Sequence, residues 1–128
     1  MNMEKKLKLL FIEDDTDLVY IYSKVFEKDN FVVINAYNGE DGITKAKDSL
    51  PDVILLDIML PGMNGLDVLK ELKTTSSTMS IPVILLTQLS DDTSVKEGFA
   101  RQASGYLVKA FQSPSQIVQE VYKILKIS

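Results

Sequence analysis

The chain has 128 residues with 14 basic and 18 acidic side chains, 45% hydrophobic content and neither cysteine nor histidine. That length fits one domain over residues 1–128, with no room for two cores. A net charge of -4 argues against a nucleic-acid partner, and disulfides, thiol nucleophiles, His-ligated metals and Ser-His-Asp triads are excluded by composition.

Apolar runs alternate with stretches of helical period along the whole chain. Leu7–Ile12 reads as the first strand and ends at Glu13 and Asp14. Leu18, Ile21/Tyr22 and Val25 then recur at helical spacing. Phe31–Ile34 reads as a second strand, followed by Asn38 as an N-cap and a helix carrying Ile43, Ala46 and Leu50. Val53–Leu56 is the third strand and ends at Asp57. Asn64 is a second N-cap, before a helix with Leu66, Leu69 and Leu72. The Ser/Thr-rich stretch Thr74–Ser80 reads as a loop, and Ile81–Leu86 as a fourth strand ending at Thr87.

The next helix, over Asp91–Ala103, is the weakest: Val95 and Phe99 are its only strong anchors, and an interior Gly98 costs about 1 kcal/mol relative to alanine. Tyr106–Val108 is the fifth strand and ends at Lys109. Ser113 and Pro114 supply a cap and a first-turn proline for a last helix carrying Ile117, Val121, Ile124 and Leu125. The strands are apolar throughout, as strands covered on both faces are. Five β-α units in alternation predict an α/β fold, a doubly wound parallel sheet with helices on both faces.

In such a sheet the strand ends meet at one edge, where ligands bind. Glu13, Asp14 and Asp57 would then share a pocket with the Thr87 hydroxyl and the Lys109 ammonium. Two carboxylates about 4 Å apart repel by roughly 4 kcal/mol at an effective dielectric near 20. An oxygen-rich site of this kind suits Mg²⁺ or Mn²⁺. Asp57, alone at its strand end, is the best-placed nucleophile, and a phosphoryl group the matching electrophile.

The segments Leu9-Leu-Phe-Ile-Glu-Asp-Asp15, Asp57-Ile-Met-Leu-Pro-Gly-Met-Asn-Gly65, Leu85-Leu-Thr87 and Tyr106-Leu-Val-Lys109 are similar to those of receiver domains of two-component response regulators. The resemblance covers essentially the whole chain. It implies a flavodoxin-like sheet of order 2-1-3-4-5 with five helices. By the same resemblance Asp57 is the phosphoacceptor, Glu13 and Asp14 are the acidic pair, and the Met59 backbone carbonyl is the third protein ligand of the metal. Thr87 and Tyr106 resemble the switch pair and Lys109 the phosphate-binding lysine, while Asp15 is an auxiliary acid. A cytoplasmic, chemotaxis-regulator-like module without an effector domain is expected, monomeric or dimerising on phosphorylation. It is no enzyme beyond assisting its own phosphoryl transfer and slow autodephosphorylation. A sensor histidine kinase or histidine phosphotransfer protein would load it. A downstream protein would read the face made by the Asp91–Ala103 helix, the fifth strand and the last helix. A membrane partner is not expected, since no apolar run approaches the roughly 20 residues of a span.

Three departures from the family pattern carry expectations. Ala110 follows Lys109 in place of the usual proline, so a trans Lys109-Ala110 bond is predicted, a cis one costing roughly 2.5–4 kcal/mol. Gln88 stands where a small residue is usual, and it would narrow access to Asp57, swing aside on activation, or simply point to solvent. Met59 and Leu89 are apolar and orient no attacking water, which predicts a long-lived phosphoryl group. The alternative is a degenerate receiver that acts as a constitutive interaction or dimerisation module.

Overall fold

The computed structural model describes residues 6–87, 102–108 and 113–125. Five strands form one sheet: β1 (Leu7–Ile12), β2 (Phe31–Ala36), β3 (Val53–Asp57), β4 (Val83–Thr87) and β5 (Gly105–Val108). Their order is β2-β1-β3-β4-β5 and every pairing is parallel, as expected. Four helices lie among the described residues: α1 (Thr16–Lys28), α2 (Gly39–Ser49), α3 (Gly65–Thr74) and α4 (Pro114–Leu125). Most of the helix expected over Asp91–Ala103 lies outside the described residues. Its expected end is corrected: Gln102 stands in a turn with φ of 71°, and Ala103 belongs to no helix.

Successive side chains of a strand point to opposite faces, and the apolar runs split accordingly. Leu10, Ile12, Ile54, Leu56, Val83 and Leu85 face α2 and α3, where they meet Ile43, Ala46, Val68, Leu69 and Leu72. Leu9, Phe11, Val53, Leu55, Ile84 and Leu86 face α1 and α4, against Val19, Tyr22, Phe26, Ile117, Val118 and Val121. The three central strands are therefore buried on both faces, which explains why their sequences carry no polar alternation. On the α1 side the Phe11 and Tyr22 rings stack at 5.6 Å, and Phe31 meets Tyr122 at 5.5 Å. The Tyr122 hydroxyl donates to the Asp29 carbonyl at 2.7 Å, fastening α4 to the end of α1.

The caps read from the sequence are present. Asn38 accepts from the Asp41 amide at 2.8 Å and Asn64 from the Leu66 amide at 2.7 Å. Ser113 and Gln116 form a reciprocal pair at the start of α4, with the Gln116 amide donating to Ser113 Oγ and the Ser113 amide to Gln116 Oε1.

β1 has the expected bounds, and those of the other strands shift by one to two residues. β4 starts at Val83 because Pro82 has no N–H to donate, although its carbonyl accepts from the Ile54 amide at 2.9 Å. β2 continues past Ile34 through Asn35, in register with Phe11, to Ala36, whose carbonyl takes the Glu13 amide at 3.0 Å.

Candidate functional site: an acidic cluster at the carboxyl edge of the sheet

Strand register assembles this site. Ile12 pairs with both Ala36 and Leu56, so the next residues, Glu13 and Asp57, come at the same level on neighbouring strands. Asp57 pairs in turn with Leu86, which puts Thr87, the last residue of β4, next along the edge. Carboxylate oxygens of Glu13, Asp14 and Asp57 all lie within 4.8 Å of one another. Glu13 is 1% and Asp57 3% exposed, while Asp14 opens to solvent.

Local hydrogen bonds hold the two buried acids in place. Glu13 is anchored by its amide on Ala36, and its Oε2 accepts from the Asp15 amide at 3.1 Å. Asp57 Oδ1 accepts from the Met59 amide at 3.2 Å. Ile58 still donates to the Leu86 carbonyl at 3.1 Å, so the chain leaves the sheet only after that residue. Its own carbonyl accepts from Leu60 at 3.2 Å and from Gly65 at 2.9 Å, a three-residue turn about Met59 fastened to the first residue of α3. Gly62, with φ of 73° and open space around it, supplies the left-handed residue after Pro61.

Asp15 is not in the cluster. It caps α1, its Oδ1 accepting from the Asp17 and Leu18 amides at 3.0 and 3.2 Å. The signal was present in the sequence as an Asp just before a helical period, and the cap role competes directly with a metal-ligand role. Met59 has a 70% exposed side chain at the rim. Thr87 is buried at 5% exposure; Tyr106, on β5 opposite Leu85, is 39% exposed. Lys109 lies outside the described residues, as do Gln88, Leu89 and Ala110 and the Lys109-Ala110 bond.

Three carboxylates brought this close, two of them out of water, are costly unless opposite charge is at hand. The donor set fits a hard divalent cation, which takes oxygen ligands and tolerates water on its open side, here the Asp14 side. The site could therefore hold a metal ion.

Comparison with known proteins places these features in a family. The family model described as the response regulator receiver domain matches residues 9–122. The chain is 34% identical over 102 residues to Protein PilH of Pseudomonas aeruginosa, covering 80% of this chain and 84% of PilH. It is 29% identical over 126 residues to the transcriptional regulatory protein ResD of Bacillus subtilis, and there it spans about half (51%) of the relative's length. Among solved structures, the chemotaxis response regulator CheY4 of Vibrio cholerae superposes with a TM-score of 0.87 at 26% identity, covering 93% of this chain and 98% of that one. A response regulator structure from Chloroflexus aurantiacus superposes at 0.88 and 30% identity, covering 95% and 99%. With the family model spanning nearly all of the sheet and its helices, the chain belongs to the response regulator receiver domains.

Proposed function

We propose that the chain is a phosphorylation-activated signalling switch that accepts a phosphoryl group on Asp57 from a histidine kinase or a histidine phosphotransfer protein. The observation that carries this reading is the approach of the Glu13, Asp14 and Asp57 carboxylates within 4.8 Å at the carboxyl edge of a receiver-domain sheet. An Asp57 carboxylate oxygen attacks phosphorus, the bond from phosphorus to the donor nitrogen breaks, and the donor imidazole leaves with the electron pair. The Met59 amide, already on Asp57 Oδ1, holds the carboxylate in one orientation. Glu13, Asp14, Asp57 and the Met59 carbonyl hold Mg²⁺ (or Mn²⁺), which when bound offsets the negative charge of the transferring group. Lys109 supplies a second positive charge and Thr87 a hydrogen bond to the transferred oxygens.

Thr87 is the last residue of β4 and pairs with Val108 of β5, so its movement toward the phosphoryl group is felt two residues back at Tyr106. Tyr106 turns inward behind it, and a protein target reads the altered face formed by residues 91–101, β5 and α4. The place of action is the cytoplasm, where such phosphodonors reside. Autodephosphorylation is slow because Met59 and Leu89 orient no water.

Incubation with acetyl phosphate and Mg²⁺ is expected to add one phosphoryl group to the intact mass. The Asp57→Asn protein is expected to gain none. An unmodified wild-type mass under the same conditions, also with Gln88→Ala, would make the chain a constitutive binding module instead.

A further inference from the structure

Every glycine in a helix or strand of the described residues is closely approached, but one differs in what approaches it. A Cβ at Gly39, Gly42 or Gly105 would meet side chains first: Val68, Ile12 and Ile124. A Cβ at Gly65 would lie 2.3 Å from the Asp57 carbonyl oxygen, 2.6 Å from Ile58 Cα and 2.9 Å from the Ile58 carbonyl oxygen. All three are backbone atoms and cannot rotate away. Gly65 is not among the residues with positive φ, so space alone demands glycine here.

We infer that Gly65 is a positioning residue for the acidic site: its missing side chain lets the first turn of α3 seat directly on the Asp57–Ile58 backbone and fix the metal-binding and phosphoacceptor groups beyond it. This rests on the reading of Asp57 as phosphoacceptor. The same contact carries the Gly65 amide onto the Ile58 carbonyl at 2.9 Å. That carbonyl also closes the turn about Met59, and the Met59 amide reaches Asp57 Oδ1 at 3.2 Å. Helix position, turn and carboxylate orientation thus form one continuous chain of contacts.

A methyl group at residue 65 has to move one of two things. Helix α3 is held by Leu66, Val68, Leu69 and Leu72 in the core, and β3 is paired on both sides. Ile58 is itself buried in that core and bonded to Leu86, whereas Met59 beyond it is exposed, so the displacement passes along the backbone to the turn about Met59. There it turns both the Asp57 carboxylate and the Met59 carbonyl, the two groups least able to serve when misplaced.

The test measures Mg²⁺ affinity by titration calorimetry, with the melting temperature and the rate of acetyl phosphate labelling alongside. Gly65→Ala is expected to weaken Mg²⁺ binding by about tenfold or more, the range for groups that orient metal ligands. Gly105→Ala, whose Cβ crowds only the Ile124 side chain, is expected to lose stability with unchanged Mg²⁺ affinity. Wild-type Mg²⁺ affinity in Gly65→Ala would overturn the inference and leave the glycine a packing residue. If that variant does not fold, Asn64→Ala decides: it removes the 2.7 Å cap on the Leu66 amide and slackens the same turn without adding an atom. Weaker Mg²⁺ binding there supports the inference and an unchanged affinity overturns it. A wild-type protein that binds Mg²⁺ but takes no phosphoryl group fails the functional reading alone, and Mg²⁺ affinity still judges Gly65. A wild-type protein that binds no Mg²⁺ overturns the inference as well.

Discussion

Lys73, in the last turn of α3, shows how a single charged side chain fixes a loop. Its ammonium donates to the Ile81 carbonyl at 2.6 Å and to Met79 at 3.2 Å, drawing the segment before β4 back onto the helix. Thr78, fully buried, adds a 2.7 Å bond to the Leu72 carbonyl. Burial lowers the Lys73 pKa from its ordinary 10.5, the desolvation of the charge outweighing the two carbonyls. Between the lowered value and 10.5 the unfolded chain holds the proton and the folded one does not. Stability from this residue therefore rises with pH across that window and is level below it. Lys73→Met, which keeps an apolar stem without the charge, is expected to remove that rise. Urea midpoints at about pH 8 and about pH 10 for the two proteins measure it; parallel pH dependences would show that Lys73 titrates as it does in the unfolded chain.

Strand β2 lies at the edge of the sheet, and its run Phe-Val-Val-Ile-Asn-Ala contains no charge and no proline. Such an edge offers its outward N–H and C=O groups to any other strand. The Ala36 carbonyl faces β1, so alternation turns the Asn35 carbonyl outward. Lys45 of α2 covers it, with Nζ 2.6 Å from that oxygen and 3.1 Å from Asp41. Lys45→Ala is expected to increase self-association through β2, read as a rise in light-scattering mass with concentration. A variant that stays at the wild-type mass across the same range would mean that the edge is protected by other means.

The elements also show what a sequence can disclose. Central strands were legible because burial on both faces leaves an unbroken apolar run, and helix starts because Asn38, Asn64 and Ser113 are residues whose side chains bond free amides. The polar residues at strand ends marked Glu13, Asp14, Asp57 and Thr87, and register brings the three acids together at the edge that Thr87 also reaches. Less legible was whatever depends on backbone partners. Asn35 looked like a strand end although its peptide group is in the ladder, and Ile81 looked like strand although Pro82 follows. Gly65 gave no periodic signal at all, since the backbone it touches lies in another element.

At the scale of the molecule, the proposed function sets metal binding against stability at the acidic cluster. Asp14 is the exposed member of three carboxylates within 4.8 Å, in a chain already at -4. Removing its charge relieves repulsion, so Asp14→Asn is expected to melt higher than wild type in EDTA. Mg²⁺ is expected to reverse the order: a ligand at about one hundred times its Kd stabilises the folded state by about 2.7 kcal/mol, several degrees in melting temperature for a domain of this size. The variant is expected to lose most of that gain. Melting curves of the two proteins with and without Mg²⁺ test both halves, and an equal Mg²⁺ gain in each would remove Asp14 from the ligand set.

The two cores differ in when the chain can supply them. The face under α2 and α3 draws its helices from the middle of the sequence, whereas the opposite face needs α1 from near the start and Ile117, Val118 and Val121 from α4. During synthesis Phe11, Tyr22, Phe26 and Phe31 therefore emerge long before the helix that covers them, and the Tyr122 bond to Asp29 joins residues 93 apart in sequence. One side of the sheet is closed early, while the aromatic side waits for α4 to leave the ribosome. A ribosome stalled just before Ser113 would hold a nascent chain with the part of that face under α4 uncovered, a surface for chaperones rather than for signalling partners.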